Sequence, residues 1–296
     1  MGAMSDLRGL AMLLLIAAAG CGSGTEPGRV KVVTTSLPIY CFTANVAGDI
    51  ATVENLFPGN VSPHDQQLSP QDARRLTGTR LIITSGLGLD EWADRILKQQ
   101  RAQIVEASAH LGNRRIASDQ RPGVWNPHFW LDPLLAAHAV TNIMHALQEA
   151  DPVNSSTYAQ NAAAYVQKLQ RLDAEIQSAL APYQGAPIVT YHDAFPYFAR
   201  RYQLQIACVI EPFADVDPSA QHLSQLGRTI REKNVRVVFT EKNGASRLAE
   251  RIRRDWNVKL AQLDPLESGD LSPTAYEEGM RRNLNVLKRT FDAPVP

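Results

Sequence analysis

The chain has 296 residues, with 30 Lys and Arg balanced by 30 Asp and Glu, so its formal net charge is zero. That balance offers no electrostatic footing for nucleic acid or for an acidic membrane surface. The length exceeds what one hydrophobic core usually serves and points to two lobes.

Residues 1–20 read as a signal peptide. Arg8 supplies a weak positive end, and Leu10 to Ala19 is an apolar run too short to span a bilayer. Ala18-Ala19-Gly20-Cys21 sets small residues ahead of a cysteine. This resembles a bacterial lipoprotein processing site with Cys21 as the lipidated N-terminus, although Ala18 stands where leucine is usual. The alternative is an ordinary secretory signal with an incidental cysteine. Residues 21–28, rich in Gly and Ser, read as a flexible tether. Cleavage removes one acid, Asp6, and one base, Arg8, so the net charge stays at zero. No later apolar stretch is long enough for a transmembrane helix. The expected place is therefore the periplasm or the outer face of the cytoplasmic membrane, with a lipid anchor. Cys41 and Cys208 remain. They read as two buried small hydrophobes or as a disulfide.

Eight β-branched-rich runs alternate with helical patterns, the signature of parallel βα units. Strands are expected at Val30–Thr35, Thr52–Phe57, Leu81–Thr84 and Gln103–Ala107, then at Pro187–Tyr191, Gln205–Ile210, Val235–Thr240 and Val258–Leu263. Helices are expected at Ile39–Ala47, Pro70–Thr77, Glu91–Gln100, Pro133–Glu149, Phe195–Tyr202, Pro218–Lys233, Ala245–Asp255 and Thr274–Thr290. Between the halves, Tyr158, Ala162, Tyr165, Leu169, Leu172, Ile176 and Leu180 recur at helical steps. They predict one long helix over Ser155–Leu180, capped by Asn154 or Ser155 and stopped near Pro182. The fold class is α/β: two lobes, each with a four-stranded, mainly parallel sheet flanked by helices, joined by one long rigid helix. The boundaries are 29–153 for the first lobe, 154–181 for the linking helix and 182–296 for the second lobe.

Ligands of open parallel sheets bind beyond the carboxyl ends of the strands. His64 follows the second strand, His192 the fifth, and Asp264 closes the eighth; His128 precedes the helix at Pro133. Three imidazoles and one carboxylate complete a transition-metal shell. Each lobe supplies two of the four, so one ion held by all of them would lie between the lobes. Glu241 also ends a strand. It either orients a ligand through a hydrogen bond or pairs with a nearby Lys or Arg. Trp125, Trp130 and Phe195 flank the histidines and either keep the site dry or serve the core. His110, His138, His145 and His222 read as solvated.

These residues resemble the metal-binding lipoproteins of bacterial zinc and manganese ABC importers. The resemblance is carried by Val33-Thr34-Thr35-Ser36-Leu37-Pro38-Ile39, by Pro63-His64, by Ser85-Gly86-Leu87-Gly88-Leu89-Asp90-Glu91-Trp92 and by His192-Asp193-Ala194-Phe195-Pro196-Tyr197-Phe198. Leu263-Asp264-Pro265-Leu266 adds to it, and Asn126-Pro127-His128-Phe129-Trp130-Leu131-Asp132-Pro133 is the most specific match. Ser62 and Asn126 stand where the family often has aspartate, and Lys242 where proline is common. The histidine-rich acidic loop of many zinc members has no counterpart here. The resemblance implies two α/β lobes joined by a long helix, with the ion between them.

The expected function is capture of a divalent metal ion and its delivery to the membrane permease of an ABC importer by a monomer that binds no nucleic acid. Three neutral imidazoles and one carboxylate favour Zn2+; Mn2+ and Fe2+ suit harder, more oxygen-rich shells. Manganese-type members of the family generally carry a carboxylate where His192 stands. The rival is a zinc hydrolase with three His ligands and an open water site, Glu241 serving as base. No HExxH, GxSxG or phosphate-cradling glycine loop supports it.

Overall fold

The computed structural model describes residues 29–59, 69–118, 123–211, 218–241 and 247–293. The expected signal, the tether and Cys21 lie outside the described residues.

Among the described residues, eight strands form two four-stranded parallel sheets. The first holds β1 (Val30–Thr34), β2 (Ala51–Asn55), β3 (Leu81–Thr84) and β4 (Gln103–Glu106), in the order β2-β1-β3-β4. The second holds β5 (Pro187–Thr190), β6 (Gln205–Val209), β7 (Val237–Thr240) and β8 (Lys259–Gln262), in the order β6-β5-β7-β8. The helices are α1 (Leu37–Ala47), α2 (Pro70–Arg75), α3 (Asp94–Leu97), α4 (Pro133–Ala150), α5 (Ser155–Leu180), α6 (Pro196–Tyr202), α7 (Ala220–Glu232), α8 (Arg247–Trp256) and α9 (Ala275–Asp292). The two-lobed α/β expectation and the span of the long helix are borne out. The helix expected over 91–100 is instead a 3-10 turn, Glu91–Ala93, running into the single turn of α3.

Period-two alternation along the strands builds three apolar clusters from two sheets. Val32 of β1, Leu81 and Ile83 of β3, Ile188 of β5, and Val237 and Phe239 of β7 point into one large shared core. Val33 and Ile82 face a separate cluster with Leu56, Phe57, Leu76 and Leu97. Val189 and Val238 face a third, with Leu226, Ile230 and Ile252. Cys41 belongs to the shared core and Cys208 to the edge of the third cluster; both are free thiols.

The shared core is organised on α5. Its buried stripe is Tyr158, Ala162, Tyr165, Leu169, Leu172, Ile176 and Leu180, together with one acid, Asp173. At 26 residues it extends about 39 Å. It packs against α1 and α4 from the first half of the chain and against α6 and α9 from the second. Asp173 is 5 % exposed and accepts from Arg201 Nε at 2.7 Å and from the Tyr202 hydroxyl at 3.2 Å. A buried carboxylate on the spine thereby fixes α6. Asn154 occupies the N-cap position of α5, but its side chain donates to Asp151 Oδ2 at 2.7 Å instead of capping. No helix among the described residues is long and apolar enough to cross a membrane.

At the carboxyl end of the first sheet, Asp90 ties the loops after β1 and β3 together. Thr35 Oγ1 donates to its Oδ1 at 2.5 Å and the Gly86 N–H to its Oδ2 at 2.7 Å. Gly86 has φ of 81°, and a Cβ there would collide with Ser108 Oγ, so only glycine fits this turn. Burial raises the Asp90 carboxyl to about 6, the hydrogen bonds from Thr35 and Gly86 opposing it. The sign follows. The folded state holds this proton more tightly than the unfolded chain, so stability falls as pH rises from about 4 to about 6, at a cost on the order of 3 kcal/mol. Asp90→Asn carries no proton to lose. Chemical denaturation of both proteins at pH 4 and pH 7 should show the stability advantage of the wild type shrinking as pH rises; a gap independent of pH would contradict the assignment.

Candidate metal centre

In each sheet the chain reverses its direction of growth at one place: between β1 and β3, and between β5 and β7. Loops leaving the strand ends diverge there and open a ligand crevice. His192 lies just past β5 and Glu241 directly past β7, so both stand at the switch point of the second sheet.

His128 comes from a different device. Residues 116–118 lie against residues 124–126: Ser118 N donates to Val124 O at 2.9 Å, and Asn126 N to Ile116 O at 2.8 Å. A 3-10 turn, Phe129–Leu131, then leads into α4, whose cap Asp132 accepts from Leu134 N at 2.9 Å and is followed by Pro133. Cap and proline start the helix at one residue. That start fixes the turn carrying His128, which is 3 % exposed.

Among the described residues, one group of His, Cys, Asp and Glu has donor atoms close enough to share a metal ion: His128, His192 and Glu267. His128 Nε2 lies 2.6 Å from Glu267 Oε1 and 3.3 Å from His192 Nε2, and His192 Nε2 lies 3.7 Å from Glu267 Oε1. Donors around a tetrahedral zinc sit about 3.3 Å apart, given zinc–donor distances of about 2.0–2.1 Å. The three edges bracket that spacing. Both rings present Nε2 to the centre because each Nδ1 is engaged behind. His128 Nδ1 meets Asn126 Oδ1 at 3.0 Å, and His192 Nδ1 bonds Glu241 Oε1. Backing of this kind sets the tautomer and orientation of a ligating imidazole.

Glu267 owes its position to Asp264. Asp264 Oδ1 accepts from the Leu266 N–H at 2.8 Å, and the buried Asn283 holds Asp264 through its backbone N–H and C=O at 2.8 and 2.6 Å. This turn carries Leu266 at φ 62°, a left-handed conformation that costs a branched residue energy, and the absence of a side chain at Gly279 leaves room for it. The reversal delivers Glu267 to the two histidines. Asp264, the carboxylate expected from the sequence, is not in the group. Glu267 went unremarked in the sequence: Asp264-Pro265 marks a turn, but turn chemistry alone does not tell which nearby acid faces the histidines.

The loops are laced together. Trp130 Nε1 donates to Pro265 O at 2.8 Å, and the Tyr276 hydroxyl donates to Trp130 O at 2.6 Å. Trp130 and Phe195 are core residues, whereas Trp125 is 37 % exposed, with Arg115 stacked 4.2 Å over its ring. Gly269 N donates to Gly59 O at 2.5 Å, and a Cβ on Gly59 would strike Gly269 O. His64 lies outside the described residues. His138 Nε2 is bonded to Ala109 O, and His222 Nε2 to the carbonyls of Val209 and Ile210, so both serve local structure.

The family model of the periplasmic zinc-uptake complex component A, ZnuA, matches residues 32–290. The chain belongs to the ZnuA family. The resemblance to importer lipoproteins is thus borne out. The high-affinity zinc uptake system protein ZnuA of Bacillus subtilis is 30 % identical over 303 residues, covering 96 % of this chain and 93 % of that protein. The zinc-binding lipoprotein AdcA of Streptococcus pneumoniae is 29 % identical over 98 % of this chain, which spans only 61 % of AdcA's length. Among solved structures, the SBP FpvC of Pseudomonas aeruginosa in complex with Mn2+ superposes with a TM-score of 0.80 at 30 % identity, covering 89 % of this chain and 98 % of FpvC. A zinc-bound ZnuA deletion mutant also reaches a TM-score of 0.80, at 27 % identity over 90 % of this chain and 100 % of its own.

Within this ZnuA-family site, burial lowers the affinity of His192 for a proton. Hydrogen bonds and charge from Glu241 and Glu267 overcome burial and raise its pKa to about 10. Replacing Glu241 by Gln removes one of those charges. An NMR titration of the metal-free protein should find the His192 pKa lowered by more than one unit in the variant. An unchanged pKa would mean that Glu241 is not the ring's partner.

Proposed function

We propose that this protein is an extracytoplasmic solute-binding protein that captures a divalent transition metal, zinc foremost, and delivers it to the permease of an ABC importer. The observation that carries the reading is the triangle of His128 Nε2, His192 Nε2 and Glu267 Oε1, whose edges suit one tetrahedral ion. We assign the ligands as His64, His128, His192 and Glu267, with Glu267 in the place expected of Asp264. Support for His64 comes from the Gly59–Gly269 backbone bond, which ties the stem of its loop to the chain just past Glu267.

Three nitrogens and one oxygen suit Zn2+ and leave the bound ion with a residual charge of about +1, whereas Mn2+ and Fe2+ favour more oxygen donors. Four protein donors leave no position for a reacting water, and this argues for a carrier and against a hydrolase. The proposed assembly is a monomer tethered through lipidated Cys21, with lobes 29–153 and 182–296 on the helix 154–181.

Competition titration against a zinc chelator tests the ligand set. His192→Ala and Glu267→Gln should each weaken zinc binding by about a hundredfold or more, whereas Asp264→Asn, which keeps an oxygen acceptor for the Leu266 N–H, should cost less than about tenfold. The opposite ranking of the two acids would return the carboxylate to Asp264, and equal affinity of wild type and His192→Ala would remove the site.

A proton must leave as the metal enters. His192, raised to about 10, is protonated at neutral pH in the metal-free protein, and only the neutral ring ligates. Zinc affinity should therefore climb through neutrality, by about tenfold per pH unit, and level off near the His192 pKa. Calorimetry in buffers of different ionisation enthalpy should detect about one proton released per zinc at pH 7. Zero release would refute it.

A further inference from the structure

The two histidine loops touch through one side chain that is not itself a candidate ligand. Asn126 is 2 % exposed. Its Oδ1 accepts from the backbone N–H of His128 at 3.0 Å and faces His128 Nδ1 at 3.0 Å. Its Nδ2 donates to the backbone O of Asp193 at 2.6 Å and to Asp193 Oδ2 at 3.2 Å. Asp193 follows His192 directly. The backbone of Asn126 is held as well: the Tyr197 hydroxyl, on α6, donates to Asn126 O at 3.0 Å and accepts from Ile116 N at 3.0 Å.

We propose that Asn126 is a positioning residue whose amide sets the separation of the two ligating histidines, its oxygen holding the His128 loop and its nitrogen the His192 loop. The inference rests on the metal-site reading above and adds to it the element that registers one half of the site against the other. The role demands an acceptor and a donor on one short side chain. Asparagine provides both. Aspartate would keep the acceptor for His128, lose the donor, and set a carboxylate against the carbonyl and carboxylate of Asp193. A partly buried like-charge contact of that kind pushes neighbouring loops apart. The Asp193 carboxylate thus makes an amide, rather than an acid, the fitting residue at 126.

Polarity reversal tests the claim. Zinc release from the mature chain is followed with a chromophoric chelator in excess. Asn126→Asp should release zinc about tenfold to a hundredfold faster than wild type, within the range seen when the backing of a metal ligand is removed. In the double variant Asn126→Asp, Asp193→Asn, the side chain of residue 193 offers residue 126 a donor, while the backbone carbonyl of residue 193 still faces the new carboxylate. Release should slow to a rate between those of Asn126→Asp and wild type, a partial rescue that damage to packing would not show. Asn126→Ala, which repels nothing, should still accelerate release about fivefold, and it decides the matter should Asn126→Asp fail to fold. Release from Asn126→Asp or Asn126→Ala at the wild-type rate overturns the proposal, as does a double variant no slower than Asn126→Asp. His192→Ala is the control that separates the two readings. If it holds zinc as firmly as wild type, the site itself is wrongly placed. If it loses zinc while the Asn126 variants match wild type, only the role of Asn126 falls.

Discussion

Holding two imidazoles and a carboxylate with donor atoms within 4 Å of one another, largely out of water, is the constraint on which the rest of the structure depends. Such groups repel or strand one another unless each is hydrogen-bonded from behind. Every member of this cluster sits in a loop that is fixed that way. His128 is backed by Asn126, His192 by Glu241, and Glu267 rides on a turn that Asp264 and Asn283 close. The cross-links from Trp130 to Pro265 and from Tyr276 to Trp130 then fix the loops against each other. Geometry imposed in this manner lets the apo site present its donors near their final spacing, which reduces the ordering cost of capture.

The frame behind the loops is one large shared core flanked by two smaller clusters. One face of each sheet and the helices α1, α4, α6 and α9 all bury apolar surface on or around α5. Bending α5 would open that core along its length, and well-packed interiors resist such opening. In the proposed function, loading and release would then fall to loop shifts and to the protonation of His192 rather than to bending of α5. A carrier has to bind tightly and still let go. A His192 ring whose pKa is raised to about 10 makes the proton a competitor for the metal.

Much of this was legible along the chain because it depends on local periodicity. The alternating strands, the helical stripe from Tyr158 to Leu180 and the cap-and-proline start of α4 are short-range patterns, and the structure reproduces them within a residue or two. Local capping was less legible. Asn154 sits at the cap position, yet its side-chain NH2 donates back to Asp151 and its side chain accepts from no helix N–H.

By itself the sequence determined the α/β class, the long helix between two sheets and the placing of His128 and His192 beside loop and strand ends, since each follows from hydrophobic period and turn chemistry over a few residues. Only the tertiary structure decided which acid of the loop after β8 meets the histidines. Asp264 and Glu267 are separated by two residues, and a left-handed turn at Leu266, for which the missing side chain of Gly279 on α9 leaves room, brings Glu267 to His128 while Asp264 Oδ1 accepts from the Leu266 N–H. Asn126 and Asp193 likewise meet across 67 residues, next to the start of α6, which Arg201 and Asp173 hold to the spine. Contacts between residues so far apart in the chain are set by packing, and no local pattern encodes them.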